Sequence, residues 1–201
     1  MILLLAGSPS IPSRSTRLMH YAGEKLALLG HRYQRLQVRD LPTTALLHAE
    51  FGNAELISAQ AWVAQAQAVV IATPIYKAAY SGVLKAFLDL LPQDGLKGKL
   101  VLPLATGGSQ SHMLAIDYAL RPVLTTLGAR HVLPGIYATD AQVRWTEESG
   151  LAIDDDIARR INEGVDMLSA GLLASTADRV DAAGTKAARE TVPFTSMPCS
   201  A

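Results

Sequence analysis

The chain has one cysteine, no excess of either charge and few aromatics. Cys199 stands alone among 201 residues, so an internal disulfide is excluded. No Cys/His grouping has the spacing of a zinc site, and a reducing compartment is the expected setting. Lysine plus arginine number 18 and aspartate plus glutamate 18, a formal net charge of zero. A general nucleic-acid binder needs a basic surplus to displace counterions from phosphates, and this chain has none. The only block of like charge is Asp154, Asp155 and Asp156, which suits the polar start of a helix. No uncharged apolar run approaches the ~18 residues of a membrane span. The first apolar run, over 2–6, is short and lacks a basic flank, so no signal peptide is expected. A cytoplasmic protein follows as the expectation.

What is present is 49% hydrophobic residues in a patterned order. Continuous apolar runs over 1–6, 68–73 and 100–106 each stop at a breaker: Gly7, Pro74 and Gly107. Such runs are the signature of parallel strands covered on both faces. Weaker strands are expected over 33–38 and 130–133. Helical periods lie between them. Leu18, Ala22, Leu26 and Leu29 precede Gly30, and Leu56, Ala59, Val63 and Ala66 follow an Asn53 cap. Further helices are expected over 81–91, 110–127 and 154–173. Strand alternating with helix in this way predicts a three-layer α/β sandwich around a five-stranded parallel sheet. The folded domain is expected over 1–174. The remainder, 175–201, has few large apolar residues and reads as a disordered or draped tail.

In an open α/β sheet, ligands bind beyond the carboxyl ends of the strands. The loop after the first strand, 7–16, offers Ser8, Ser10, Ser13, Ser15, Thr16 and Arg14 ahead of a helix. Hydroxyls, a guanidinium and helix N-terminal amides together stabilise an anion. The other reading is a Ser/Pro turn with a capping serine. Neither GxxxxGK[ST] nor GxGxxG occurs, which argues against a P-loop and against a dinucleotide-binding dehydrogenase. The second loop carries Pro74, Ile75, Tyr76, Lys77, Tyr80 and Ser81, which suits a planar heterocycle or, equally, a tight turn with surface tyrosines. The third, with Thr106, Gly107, Gly108 and Ser109, lets backbone approach a ligand closely. His112, just beyond, is either a ligand contact or a solvated helix residue.

These loops carry a resemblance. Gly7-Ser8-Pro9 with Ser13-Arg14-Ser15, Pro74-Ile75-Tyr76 with Ser81-Gly82, and Ala105-Thr106-Gly107-Gly108 resemble the flavin-binding loops of the flavodoxin-like NAD(P)H-dependent FMN reductases. The segments 72–82, 102–108 and 117–122 resemble most those that serve alkanesulfonate assimilation. The resemblance covers about 1–140 and implies a flavodoxin-like fold with strand order 2-1-3-4-5. It also implies that a reduced nicotinamide, NADPH or NADH, reduces FMN, which passes to a separate monooxygenase that desulfonates organosulfonates. By this resemblance Ser8, Ser13, Arg14 and Ser15 hold the FMN phosphate. Pro74, Ile75, Tyr76 and Lys77 line one edge of the ring, and Thr106, Gly107, Gly108 and Ser109 the other. Many relatives have arginine where this chain has Ser10, which leaves Arg14 as the main cation. No acid, base or nucleophile is required, because hydride passes directly from nicotinamide to flavin.

Two helices are apolar almost all round: Val83, Leu84, Ala86, Phe87, Leu88, Leu90 and Leu91 in one, Met113, Leu114, Ile116, Leu120, Val123 and Leu124 in the next. That pattern predicts a dimer or tetramer. Pro122 has no amide to offer the carbonyl of Tyr118, so a kink or π-bulge is expected there. In the sulfonate-linked reductases a tyrosine matching Tyr118 is an insertion that forms a π-helix at the tetramer interface and is associated with flavin release. Other readings are a quinone or azo reductase that keeps its FMN, and a flavodoxin-type electron carrier. Such carriers are strongly acidic, which a net charge of zero opposes.

Overall fold

The computed structural model describes residues 1–147 and 150–189, with side chains through 175. Strand β1 (Ile2–Ala6) leads into helix α1 (Arg14–Leu28), then β2 (Tyr33–Gln37), a 3-10 turn (Val38–Asp40) and α2 (Thr43–Leu47). Helix α3 (Ala54–Gln65) precedes β3 (Ala68–Tyr76), β4 (Ala79–Tyr80), α4 (Gly82–Leu88) and β5 (Leu100–Gly107). A 3-10 turn (Gln110–His112), a π-helical segment (Ile116–Leu120) and α5 (Arg121–Thr126) follow. The chain continues through β6 (His131–Val132), β7 (Ile136–Thr139), the hairpin β8 (Val143–Thr146) and β9 (Gly150–Ile153), and α6 (Asp155–Arg189).

The sheet runs β2-β1-β3-β5-β6 with parallel pairing throughout this path, which is the flavodoxin-like order expected. Period-two alternation divides the core between its faces. Leu3, Leu5, Val69 and Ile71 point to one side, where α3, α4 and α5 contribute Leu56, Val63, Leu84, Phe87 and Leu124. Leu4, Val70, Leu102 and Leu104 point to the other, against Leu18, Met19, Ala22 and Leu26 of α1 and Ile157, Ile161 and Val165 of α6. A sheet buried on both faces needs apolar residues at every position, and this is why the strand runs are continuous. Gly23 of α1 faces Leu4 so closely that a Cβ would stand 2.6 Å from its Cδ1.

Several elements depart from the sequence reading. The fifth strand is split: β6 pairs with the start of β5 and β7 with its end, separated by Pro134 and Gly135. Each piece is too short for periodicity to reveal. Leu29 is not part of the buried stripe of α1 but its exposed C-cap, followed by Gly30 at φ 82°. The helix expected over 110–127 is three pieces, and His112 ends a 3-10 turn. The break falls at the predicted place: the Arg121 amide bonds to the Ile116 carbonyl, five residues back, just ahead of Pro122. Most apolar residues of α4 and its C-terminal extension are covered within the single chain, including Leu84, Phe87, Leu88, Leu90 and Leu91. An all-round apolar α4 therefore does not by itself require a second subunit. Helix α6 passes Leu173 and runs to Arg189, so the expected tail boundary falls inside it, and 190–201 lie outside the described residues. Among the described residues no helix is long and apolar enough to cross a membrane.

Candidate functional site

The carboxyl ends of β1, β3, β5 and β7 lie side by side, with Ala6 opposite Ala72, Pro74 opposite Thr106 and Gly107 opposite Thr139. The loops that leave them enclose a cleft of about 180 Å³ lined by Ser8, Ser10, Pro12, Ser13, Arg14, Pro74, Ile75, Tyr76, Thr106, Gly107, Gly108 and Asp140.

The first loop is organised by serines. Ser8 is buried and accepts the Ser10 amide at 3.2 Å. Ser13 caps α1 by accepting the Thr16 amide at 3.2 Å, and its hydroxyl shares a 3.1 Å hydrogen bond with that of Ser15. Helix N-terminal amides have no intrahelical carbonyl, so the start of α1 presents donors and a positive dipole end here. Ser15 is buried beneath the cleft and supports Ser13 rather than lining it. The Thr16 hydroxyl is buried without a hydrogen-bond partner. From the far end of β2, Arg39 donates to the Ser10 carbonyl and, at 2.6 Å, to Gln37 Oε1, which fixes the loop from below.

The second loop is a hairpin between β3 and β4, pairing Ile75 with Tyr80 and Tyr76 with Ala79. Its two turn residues, Lys77 and Ala78, have φ of 50° and 63°. Two positive φ values define a type I′ turn, which favours Asn-Gly and strains residues with a Cβ. Pro74, Ile75 and Tyr76 face the cleft, while Lys77 is exposed at the hairpin tip and does not line it. Replacing Ala78 by Gly relieves the strain, and the expected gain of roughly 1 kcal/mol raises the thermal midpoint by about 2–4 °C. Differential scanning calorimetry checks it; an unchanged or lowered midpoint contradicts a strained turn.

Ser81 joins the first two loops. Its hydroxyl donates to the Gly7 carbonyl and accepts the Leu84 amide at 3.1 Å, while its own amide donates to Thr73 Oγ1 at 3.0 Å. Gly7 is needed because a Cβ there would stand 2.6 Å from that of Leu84.

In the third loop Thr106 is buried and Gly107 and Gly108 form the cleft wall. Ser109 turns away to cap the 3-10 segment, accepting the Ser111 amide at 3.2 Å, and neither it nor His112 lines the cleft. The Tyr137 hydroxyl donates to the Ser109 carbonyl and lies where a Cβ on Gly107 would fall, 2.5 Å away. Burial raises the Tyr137 phenol above its usual range, reinforced by nearby Asp140.

Asp140 is the site residue that sequence reasoning missed. It follows β7, at the fourth carboxyl end, and Arg14 Nη1 lies 3.5 Å from its Oδ2. Recognising Ile136–Thr139 as a strand was the signal that would have found it. The hairpin β8–β9 was also unread. Its Trp145 lies against α1, with the Arg17 guanidinium 4.3 Å from the ring centroid.

The donor set of the cleft suits a phosphate: Ser8 and Ser13 hydroxyls, one guanidinium, and a helix N-terminus. Beside it lie a half-exposed tyrosine and glycine backbone that admit a flat ring. The sequence profile of NADPH-dependent FMN reductases matches residues 1–143. The chain belongs to that family. It is an NAD(P)H:FMN oxidoreductase, and FMN and a reduced nicotinamide are what it acts with. It is 49% identical to an FMN reductase (NADPH) of Escherichia coli (strain K12) over 142 residues, 71% of this chain and 74% of that one. With an NADH-dependent FMN reductase, SfnF, of Pseudomonas putida the identity is 34% over 146 residues, 69% of this chain and 76% of that one. Among solved structures, the apo form of an NADH:FMN oxidoreductase, EMOB, superposes with a TM-score of 0.73 at 41% identity, covering 83% of this chain and 87% of that one.

Proposed function

We propose that this reductase treats FMN as a substrate that enters, is reduced and leaves, and that it supplies reduced FMN to a separate flavin-dependent monooxygenase acting on organosulfonates. The observation that carries the reading is the π-helical segment Ile116–Leu120 ahead of Pro122, with Tyr118 78% exposed at its centre. The resemblance to the sulfonate-linked reductases attaches flavin release to this feature. NADPH- and NADH-dependent relatives match 71% and 69% of this chain, so the proposal extends to either nicotinamide.

The FMN phosphate would be held by Ser8, Ser13 and Arg14, with Ser15 positioning Ser13. Pro74, Ile75 and Tyr76 would flank one side of the ring, and Thr106, Gly107 and Gly108 would let the other approach backbone. When bound, FMN supplies the hydride-accepting ring, and the chain's own task is alignment and electrostatics. Among the residues lining the cleft, none needs to move a proton. Lys77 and His112 are left outside this arrangement. The exposed apolar face formed by Met113, Leu114 and Tyr118 is where a second copy of the chain would pack, as a dimer or tetramer. The proposed setting is the cytoplasm, where reduced nicotinamide is abundant.

The test couples the chain to an alkanesulfonate monooxygenase. Sulfite release is expected only when this chain, FMN, reduced nicotinamide, oxygen, monooxygenase and sulfonate are all present. Failure to support sulfite release, despite rapid FMN reduction by the same preparation, would remove the sulfonate link and leave the reductase.

A further inference from the structure

A cleft suited to a phosphate contains a carboxylate. Asp140 lines it, and Arg14, the only cation among the lining residues, lies 3.5 Å away. The side chains are 50% and 46% exposed, so the pair sits at the open rim and not in the core. Asp140 is held there by its backbone. Its amide donates to the Gly107 carbonyl at 3.0 Å, and the Thr139 amide donates to Gln142 Oε1 at 2.9 Å, which closes the turn.

We propose that Asp140 is the counter-ion of Arg14 in the flavin-free enzyme, and that it weakens the grip on the flavin phosphate and hastens release. This rests on the reading that the FMN phosphate occupies the start of α1. A phosphate entering the cleft must take Arg14 from Asp140 or share it, and in either case its negative charge stands near a second one. Both effects act against binding, and neither acts on a flavin without phosphate. Arg14 and Asp140 are the charged side chains lining the cleft, and their charges sum to zero. The cleft therefore recognises phosphate mainly through hydroxyls and amides, which suits a ligand that must leave. Exposed ion pairs are screened, so the effect is a tuning of affinity and not its abolition.

The test compares Asp140→Asn with the parent for FMN and riboflavin, using quenching of flavin fluorescence for affinity and stopped flow for dissociation. The asparagine variant is expected to bind FMN about fivefold more tightly and to release it more slowly by a similar factor. Riboflavin binding should be unchanged, and the gain should shrink as salt is added. Unchanged or weaker FMN binding would overturn the proposal and assign Asp140 the role of orienting Arg14. Equal tightening of both flavins would also overturn it, since the effect would not involve phosphate. Arg14→Ala is measured in parallel. If it weakens both flavins equally, the phosphate reading itself fails and the Asp140 proposal falls with it. If Arg14→Ala discriminates and Asp140→Asn does not, only the counter-ion role is lost.

Discussion

Deletion of Tyr118 yields a protein that purifies yellow, carrying FMN through gel filtration. The π-helical turn holds one residue more than an α-turn, which is why the Arg121 amide reaches Ile116 and not the next residue along. Widening a turn costs hydrogen-bond geometry, and Pro122 lowers that cost because its missing amide leaves the Tyr118 carbonyl without a helical donor in any case. Removing one residue restores α-helical spacing before Pro122, shifts the face shared by Met113 and Leu114, and takes away the most exposed aromatic of the segment. If this segment is what keeps flavin binding weak, FMN affinity should rise by about tenfold or more, while delivery of free reduced FMN falls. Tyr118→Ala separates the causes. It keeps the extra residue and removes only the ring, so a yellow alanine variant assigns the effect to the side chain, and a colourless one to the helical register. A colourless deletion variant that still delivers reduced flavin contradicts the link between this segment and release.

Replacement of Arg14 by Ala raises the Michaelis constant for FMN about tenfold while leaving that for riboflavin nearly unchanged. Among the residues lining the cleft, Arg14 is the one cation. Its exposure and its partner Asp140 keep the effect below that of a fully desolvated pair. Arg14→Lys should recover part of the loss, since a lysine restores charge but not the two-pronged geometry of guanidinium on phosphate. Steady-state kinetics with both flavins decide the matter. Equal losses for FMN and riboflavin would place Arg14 against the ring or the fold, and the phosphate site would have to be sought elsewhere.

The parallel sheet and the three principal loops are legible because they depend on long apolar runs ended by Gly7, Pro74 and Gly107, whereas the strand order comes from the family resemblance and not from the runs. What was hidden has specific physical causes. The split fifth strand is held by a few ladder bonds to β5 on either side of Gly135, a residue whose added Cβ would meet Ile116 at 2.5 Å. No periodicity reports such a packing constraint, and Asp140 was lost with that strand. Lys77, which the resemblance puts beside the ring, stands at the tip of a type I′ turn and outside the lining of the cleft. Ser109 and His112 follow the glycines in sequence, but the chain turns into a 3-10 segment and carries them out of the cleft. Conversely, Pro122 alone marks a kink or π-bulge, since a proline at a fixed offset removes a known donor, and the resemblance narrows the two to the π-helical form.

The most direct measurement is to purify the protein without added flavin, record its visible spectrum, and follow NADPH and NADH oxidation as free FMN is titrated. A colourless protein whose rate rises from near zero and saturates with FMN is the predicted result. A yellow protein that oxidises the nicotinamide without added FMN, and needs a quinone or dye to turn over, would contradict the account.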